Sequence, residues 1–302
     1  MTLTFHGVIP ALMTEMTKAG AIDHEATSRH LESCLAAGVE GFVMLGTLGE
    51  NSSLSLDEKE EVVRNAVQTV GGRVPVLAGI AEYTTDLAIE AATRMRRAGA
   101  LGLMALPTMV YQQDAREAVQ HFRTLARGTD LPIMIYNNHV AYKVDLKPHD
   151  FAELTGEANI VAVKESSHDS RRVTDMINVL GDRFKLVCGV DDLMLENVLF
   201  GAVGWVSGVA NAFPREAVEL FRLAEARRVD EAVALYRWFM PMLHLDVATK
   251  LVQYIKLMNQ LAGEGSEHVR APRLTLVGEE RDMVETIVRE ALARRPNLAK
   301  AA

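Results

Sequence analysis

Short apolar runs alternate with amphipathic segments eight times along this 302-residue chain, and no other feature constrains its fold as much. The runs are Gly7 to Met13, Gly41 to Gly46, Val74 to Ile80, Leu101 to Pro107, Pro132 to Asn137, Ile160 to Glu165, Lys185 to Val190 and Val203 to Val209. Each is too short for a helix and reads as a buried strand. The intervening stretches carry apolar positions at helical spacing, as in His24 to Ala37, Thr85 to Ala98 and Asp114 to Arg127. Ser55 and Glu58 form a capping box that opens a helix toward Val70, and Gly71-Gly72 ends it. Strand and helix in strict alternation predict a parallel sheet with helical crossovers, and eight units close into a (β/α)8 TIM barrel. An internal echo supports recurring units: Gly38, Gly99 and Gly201 each stop a helix just before a strand. The alternative, an open doubly wound sheet, calls for a Gly-rich phosphate loop after the first strand, and none is present.

Beyond about Val229 the pattern changes. Asp230 to Gln260 is helix-forming with an interruption expected at Pro241, Gly263 to Pro272 is a polar linker, and Glu279 to Arg294 is a final amphipathic helix. The chain therefore divides into a barrel, 1–226, carrying the active site, and a helical C-terminal appendage, 227–302, that covers a barrel face or serves a subunit contact.

A net charge of −8 without a basic block argues against nucleic acid as a partner. Cys34 and Cys188 are the only cysteines and stand in apolar runs, which argues against disulfides and a zinc site. The start, MTLTFHGVIP, does not read as a secretory leader, and no apolar run is long enough to span a bilayer, so a cytoplasmic location is expected.

In such a barrel, chemistry sits where strands end at their C-terminal edges. Lys164 closes the sixth run. Lysine is almost never buried without a reason, and burial favours the neutral, nucleophilic amine. The plain alternative is a lysine in water or paired with Glu165. Tyr136, on the adjacent fifth strand, is either a proton-relaying phenol beside that amine or a rim aromatic. Gly46-Thr47-Leu48-Gly49 is either a turn whose N–H groups cradle an anion or an ordinary glycine turn. Asp191 and Asp192 read as caps of the helix that starts near Leu193. The histidines show no metal-ligand spacing.

GTLGE after strand two, YNN after strand five and VAVKESS on strand six, together with GVDD and GWVSGVAN, resemble motifs of the dihydrodipicolinate synthase and N-acetylneuraminate lyase family. The resemblance runs from Gly7 to about Ala226. It implies a Schiff-base lyase acting on pyruvate or another small 2-oxo acid. It also implies no metal or organic cofactor, and a homotetramer built as a dimer of dimers. By position it implies that Lys164 forms the imine, Tyr136 shuttles protons, and Thr47 supplies a hydroxyl. It further implies that Gly46 and Leu48 bind the substrate carboxylate through backbone and that Val206 lines the imine pocket. Leu48 replaces a hydroxyl residue, a loss of about 0.5–1.5 kcal/mol for one neutral hydrogen bond.

Two departures are evident. The family's synthases follow the tyrosine with Y-N-x-P-x-R, where this chain has His139 and Ala141; the arginine that would hold a second carboxylate is missing. The synthases' T-P-Y-Y is here Leu106-Pro107-Thr108-Met109, leaving Tyr111 as a shifted candidate for a tyrosine donated across a dimer. His139 is a candidate for the distal end of the substrate, with a solvated loop histidine as the alternative. These departures favour catabolic members, aldolases, dehydratases or deaminases of the 1-pyrroline-4-hydroxy-2-carboxylate deaminase type, over the lysine-pathway synthase. A barrel that only binds a 2-oxo acid is the reading from another class.

Overall fold

Near-continuous burial on both faces marks the strands of this computed structural model, which describes residues 3–298. The strands are β1 (Gly7–Pro10), β2 (Phe42–Met44), β3 (Val76–Ile80), β4 (Gly102–Ala105), β5 (Ile133–Asn137), β6 (Ile160–Glu165), β7 (Lys185–Cys188) and β8 (Gly204–Ser207). All pair in parallel, in the order β1-β8-β7-β6-β5-β4-β3-β2. A parallel bridge between Ala11 and Val43 brings the two ends together, giving a (β/α)8 barrel. Val43, Leu77, Met104, Met134, Ala162 and Val187 share one apolar cluster. Their strand neighbours Met44, Ala78, Leu103, Ile135 and Val163 fall in another, against the outer helices.

The barrel helices are α1 (His24–Ala36), α2 (Leu56–Val70), α3 (Thr85–Ala98), α4 (Ala115–Arg127), α5 (His139–Tyr142), α6 (Pro148–Ala152), α7 (Arg171–Leu180), α8 (Met194–Leu199) and α9 (Pro214–Glu225). Local chemistry accounts for their ends. The Ser55/Glu58 capping box forms both of its hydrogen bonds. Gly38, Gly99 and Gly201 adopt φ of 91°, 100° and 119°, a region that strains any side chain, so the echoed glycines follow helices for a steric reason.

α10 (Val229–Asp246), α11 (Leu251–Ala262) and α12 (Gly278–Ala293) follow. The interruption expected at Pro241 is not there: α10 runs through the proline, and the helix breaks at 247–250 instead. Phe239, Met242 and Leu243 are buried around Pro241, and that packing outweighs the lost backbone bond. The break brings the chain to the C-terminal mouth of the barrel. No helix among the described residues is long and apolar enough to cross a membrane.

Candidate active site

β5 and β6 place Tyr136 and Lys164 side by side as register partners. Both point inward by strand alternation, at 7% and 5% exposure, and the lysine Nζ sits 3.8 Å from the tyrosine ring centroid. Glu165, next in the strand, takes the opposite face, where its carboxylate accepts from Asn137 Nδ2 at 2.9 Å and from the Ser167 N–H at 2.8 Å. Lys164 is therefore neither solvated nor paired with Glu165. Burial lowers its pKa, opposed in part by the fields of Asp246, Tyr142 and Asp191. Burial likewise pushes the Tyr136 phenol up to about 12, so it is a protonated donor.

The amine opens on a cavity of about 490 Å³, within the range of small-molecule sites. Gly46, Thr47, Leu48 and Val206 line it, as do Ser166 and His168. The N–H groups of Thr47 and Leu48 have no hydrogen-bond partner among the described residues, which leaves them available to an anion. Gly189 is there for space: a Cβ would stand 2.6 Å from Lys164 Cε and 2.7 Å from Cγ.

The Tyr136-Asn137-Asn138 stretch folds its own loop. Asn137 Oδ1 accepts from the Leu146 N–H at 3.0 Å and its Nδ2 donates to the Leu146 carbonyl at 3.1 Å, pinning the loop's far end. Asn138 Oδ1 caps α5 through the Ala141 N–H at 2.9 Å, while its Nδ2 donates to the Tyr136 hydroxyl at 3.0 Å. The capped turn presents Tyr142, which sequence reasoning did not single out. Its hydroxyl lies 2.5 Å from Thr47 Oγ1, and its ring meets that of Tyr136 edge-on, with centroids 5.6 Å apart. Burial raises the Tyr142 pKa as well.

Two candidates lie elsewhere. Tyr111 is 61% exposed and hydrogen-bonds Glu117, outside the cavity of its own protomer. His139 starts α5 with its Nδ1 4.0 Å from Asp145, and it does not line the cavity although its neighbours Val140 to Lys143 do. At the start of α5 its side chain faces Asp145 rather than the cavity.

The helix-capping role expected of Asp191 is not what the structure shows. Its carboxylate, at 0% exposure, accepts from Trp205 Nε1 at 2.8 Å, Ser207 Oγ at 3.0 Å and the N–H groups of Gly208 and Val209 at 3.1 and 2.8 Å. Four donors on β8 and the turn after it outbid a helix end. Burial still raises its pKa to about 6. Asp192 instead contacts His244 Nδ1 at 2.8 Å.

Asp246, at the end of α10, was also missed by sequence reasoning. Among the described residues it is the only carboxylate lining the cavity, and Val247, Ala248 and Thr249 follow it along the wall. No arginine among the described residues lines the cavity. Among the described residues no group of three or more His, Cys, Asp or Glu side chains could hold a metal ion.

The geometry has known counterparts. A 4-hydroxy-tetrahydrodipicolinate synthase of Halalkalibacterium halodurans is 30% identical over 282 residues, covering 93% of this chain and 95% of that protein. One from Methanothrix thermoacetophila is 30% identical over 295 residues, covering 97% and 98%. Among solved structures, dihydrodipicolinate synthase from Aquifex aeolicus superposes with a TM-score of 0.90 at 27% identity, covering 95% of this chain and 98% of that one. YagE of E. coli K12, a prophage protein of the dihydrodipicolinic acid synthase family in complex with pyruvate, gives 0.90 at 27% identity, covering 96% and 99%. The model of the dihydrodipicolinate synthetase family matches residues 4–291, and this chain belongs to that family of aldolase-type lyases.

Proposed function

We propose that the protein is a Schiff-base-forming lyase acting on pyruvate or another small 2-oxo acid. The observation that carries this reading is the buried, pKa-lowered amine of Lys164 held 3.8 Å over the Tyr136 ring at the floor of the cavity. A neutral amine attacks the 2-carbon, and the resulting imine acidifies C3 and gives an enamine. Tyr136, protonated and held by Asn138, serves the proton transfers of imine formation. Thr47 and the free N–H groups at Thr47 and Leu48 receive the substrate carboxylate. Val206 and Gly46 shape the wall around it. The pyruvate complex of the family member YagE supports the substrate class.

Within the family we place the chain with enzymes that cleave or eliminate, such as dehydratases and deaminases of the 1-pyrroline-4-hydroxy-2-carboxylate type. The support is the lining of the cavity, which among the described residues offers no guanidinium to a second carboxylate. The relatives' name favours a second reading, 4-hydroxy-tetrahydrodipicolinate synthase, from pyruvate and aspartate semialdehyde.

Borohydride added with pyruvate or a longer 2-oxo acid should fix that acid's reduced mass on Lys164, and Lys164→Ala should not be labelled. Absence of label across a broad panel of 2-oxo acids would overturn the proposal. Turnover of pyruvate with aspartate semialdehyde would move the assignment to the synthase.

A further inference from the structure

Asp246 brings a carboxyl into the cavity that imine formation at Lys164 does not use. It arrives from outside the barrel, where α10 ends and the chain breaks across the mouth. Its Oδ1 lies so near Gly208 that a Cβ there would stand 2.0 Å from it. It has no hydrogen-bond partner among the described residues, and its neighbours in the electrostatic sense are Lys164, Asp191 and Asp192. Asp191 is fully engaged by β8 and the turn after it, so among the described residues Asp246 alone brings a free carboxyl to the cavity that holds the amine.

We propose that Asp246 is the general acid that protonates a leaving group at C4 of a 2-oxo acid bound as an imine on Lys164. The inference rests on the Schiff-base reading and extends it to a substrate class, 2-oxo acids bearing a hydroxyl or amino group at C4.

Lys164 condenses with the C2 carbonyl and releases water. The C3–H bond then breaks, its electron pair forms the C2–C3 double bond of the enamine, and its proton passes to solvent. The nitrogen lone pair then re-forms the iminium, the enamine pair becomes the C3–C4 double bond, and the C4–O or C4–N bond breaks. The departing group takes its electron pair and the Asp246 proton, leaving as water or ammonia. Hydrolysis of the unsaturated iminium frees the amine. The step needs no oxidant or reductant. Burial and the Asp191 charge raise the Asp246 pKa well above the usual carboxylate range, which keeps a proton on it for this step.

The test uses wild type, Asp246→Asn and Asp246→Glu with three probes: pyruvate plus borohydride, a 4-hydroxy-2-oxo acid, and its 4-chloro analogue. Chloride leaves without a proton. Asp246→Asn should still be trapped by pyruvate and should release chloride near the wild-type rate. It should expel the hydroxyl about 100-fold more slowly, the scale of a lost general acid. Asp246→Glu, which keeps a carboxyl, should retain part of the hydroxyl expulsion and covers the case in which Asp246→Asn does not fold. Equal loss of chloride and hydroxyl expulsion in a folded variant would make Asp246 merely structural and overturn the proposal. So would undiminished hydroxyl expulsion by Asp246→Asn, or wild type that is trapped by pyruvate yet expels nothing at C4. Wild type that is not trapped at all would instead sink the Schiff-base reading beneath it.

Discussion

Lys256 on α11 and Glu50, in the turn after β2, form an ion pair of 2.7 Å with both side chains at 0% exposure. The same ammonium donates to the Thr14 carbonyl at 2.8 Å and the His268 carbonyl at 2.7 Å, so all three of its hydrogens are used. Glu50 also accepts from the Arg270 N–H at 3.0 Å. The acid of the GTLGE motif thus ties the C-terminal segment to the barrel, and with it the stretch that delivers Asp246. Lys256→Ala leaves the buried carboxylate with only the more distant Arg273, at 3.5 Å, as its cation and strips the Thr14 and His268 carbonyls of their donor, which should cost about 3–5 kcal/mol of unfolding free energy. Urea denaturation measures it, and a loss below about 1 kcal/mol, the scale of an exposed pair, would refute this account.

Gly189 limits the lysine by touch rather than by charge. A methyl at that position falls 2.0 Å from Ser166 Oγ and 2.6 Å from Lys164 Cε, and must push both side chains aside. Gly189→Ala should therefore cost about 1–3 kcal/mol of overpacking. It should also slow borohydride labelling about tenfold or more, since each tenfold is about 1.4 kcal/mol of barrier. Labelling at the wild-type rate would show that the lysine has room to spare.

How much of this was legible in the sequence depends on what each residue signals. The barrel was legible because two periodicities, short strands and amphipathic helices, repeat along the chain. Lys164, Tyr136 and Thr47 were legible because strand ends are where a barrel concentrates chemistry. Tyr142 was not, since a four-residue helix carries no periodic signal and its cap, Asn138, looks like any loop asparagine. Asp246 was hidden by Pro241, which drew the expected helix break away from 247–250, where neither glycine nor proline marks it. Asp191 misled because an acid before a helix is an ordinary cap; only the folded partners on β8 and the turn after it show otherwise.

The direction of the Lys164 shift sets a pH dependence. Burial lowers its pKa from the ordinary lysine value, so the neutral amine is available at lower pH than on a free lysine. Imine formation should rise with pH through that lowered pKa and level off above it. Acidification through the same value protonates the amine and should abolish labelling. Tyr136 keeps its proton up to about 12, so its ionisation does not curtail the profile in the ordinary range. Between the folded and unfolded lysine pKa values the unfolded chain binds the extra proton, so this group makes stability rise with pH there. Lys164→Met should flatten that part of the stability profile. Labelling of wild type that instead falls as pH rises toward neutrality would contradict a depressed lysine.

Tyr142 and Thr47 provide the sharpest test of the hydroxyl arrangement. Their oxygens are 2.5 Å apart and the Tyr142 ring packs edge-on against Tyr136, so the three hydroxyl-bearing side chains act as a unit near the amine. Removing either partner of the pair breaks the same bond. Tyr142→Phe and Thr47→Val should each lower turnover about 100-fold, the lower range for positioned proton transfer. The double variant should lose little more than either single one, a coupling of about 0.5–3 kcal/mol for residues in one network. Tyr111→Phe, exposed and bonded to Glu117 within its own protomer, is the informative contrast. If Tyr142 serves the relay, the Tyr111 change is nearly silent in kcat. A large loss for Tyr111→Phe with an active Tyr142→Phe would hand the role to a tyrosine reaching in from a second subunit.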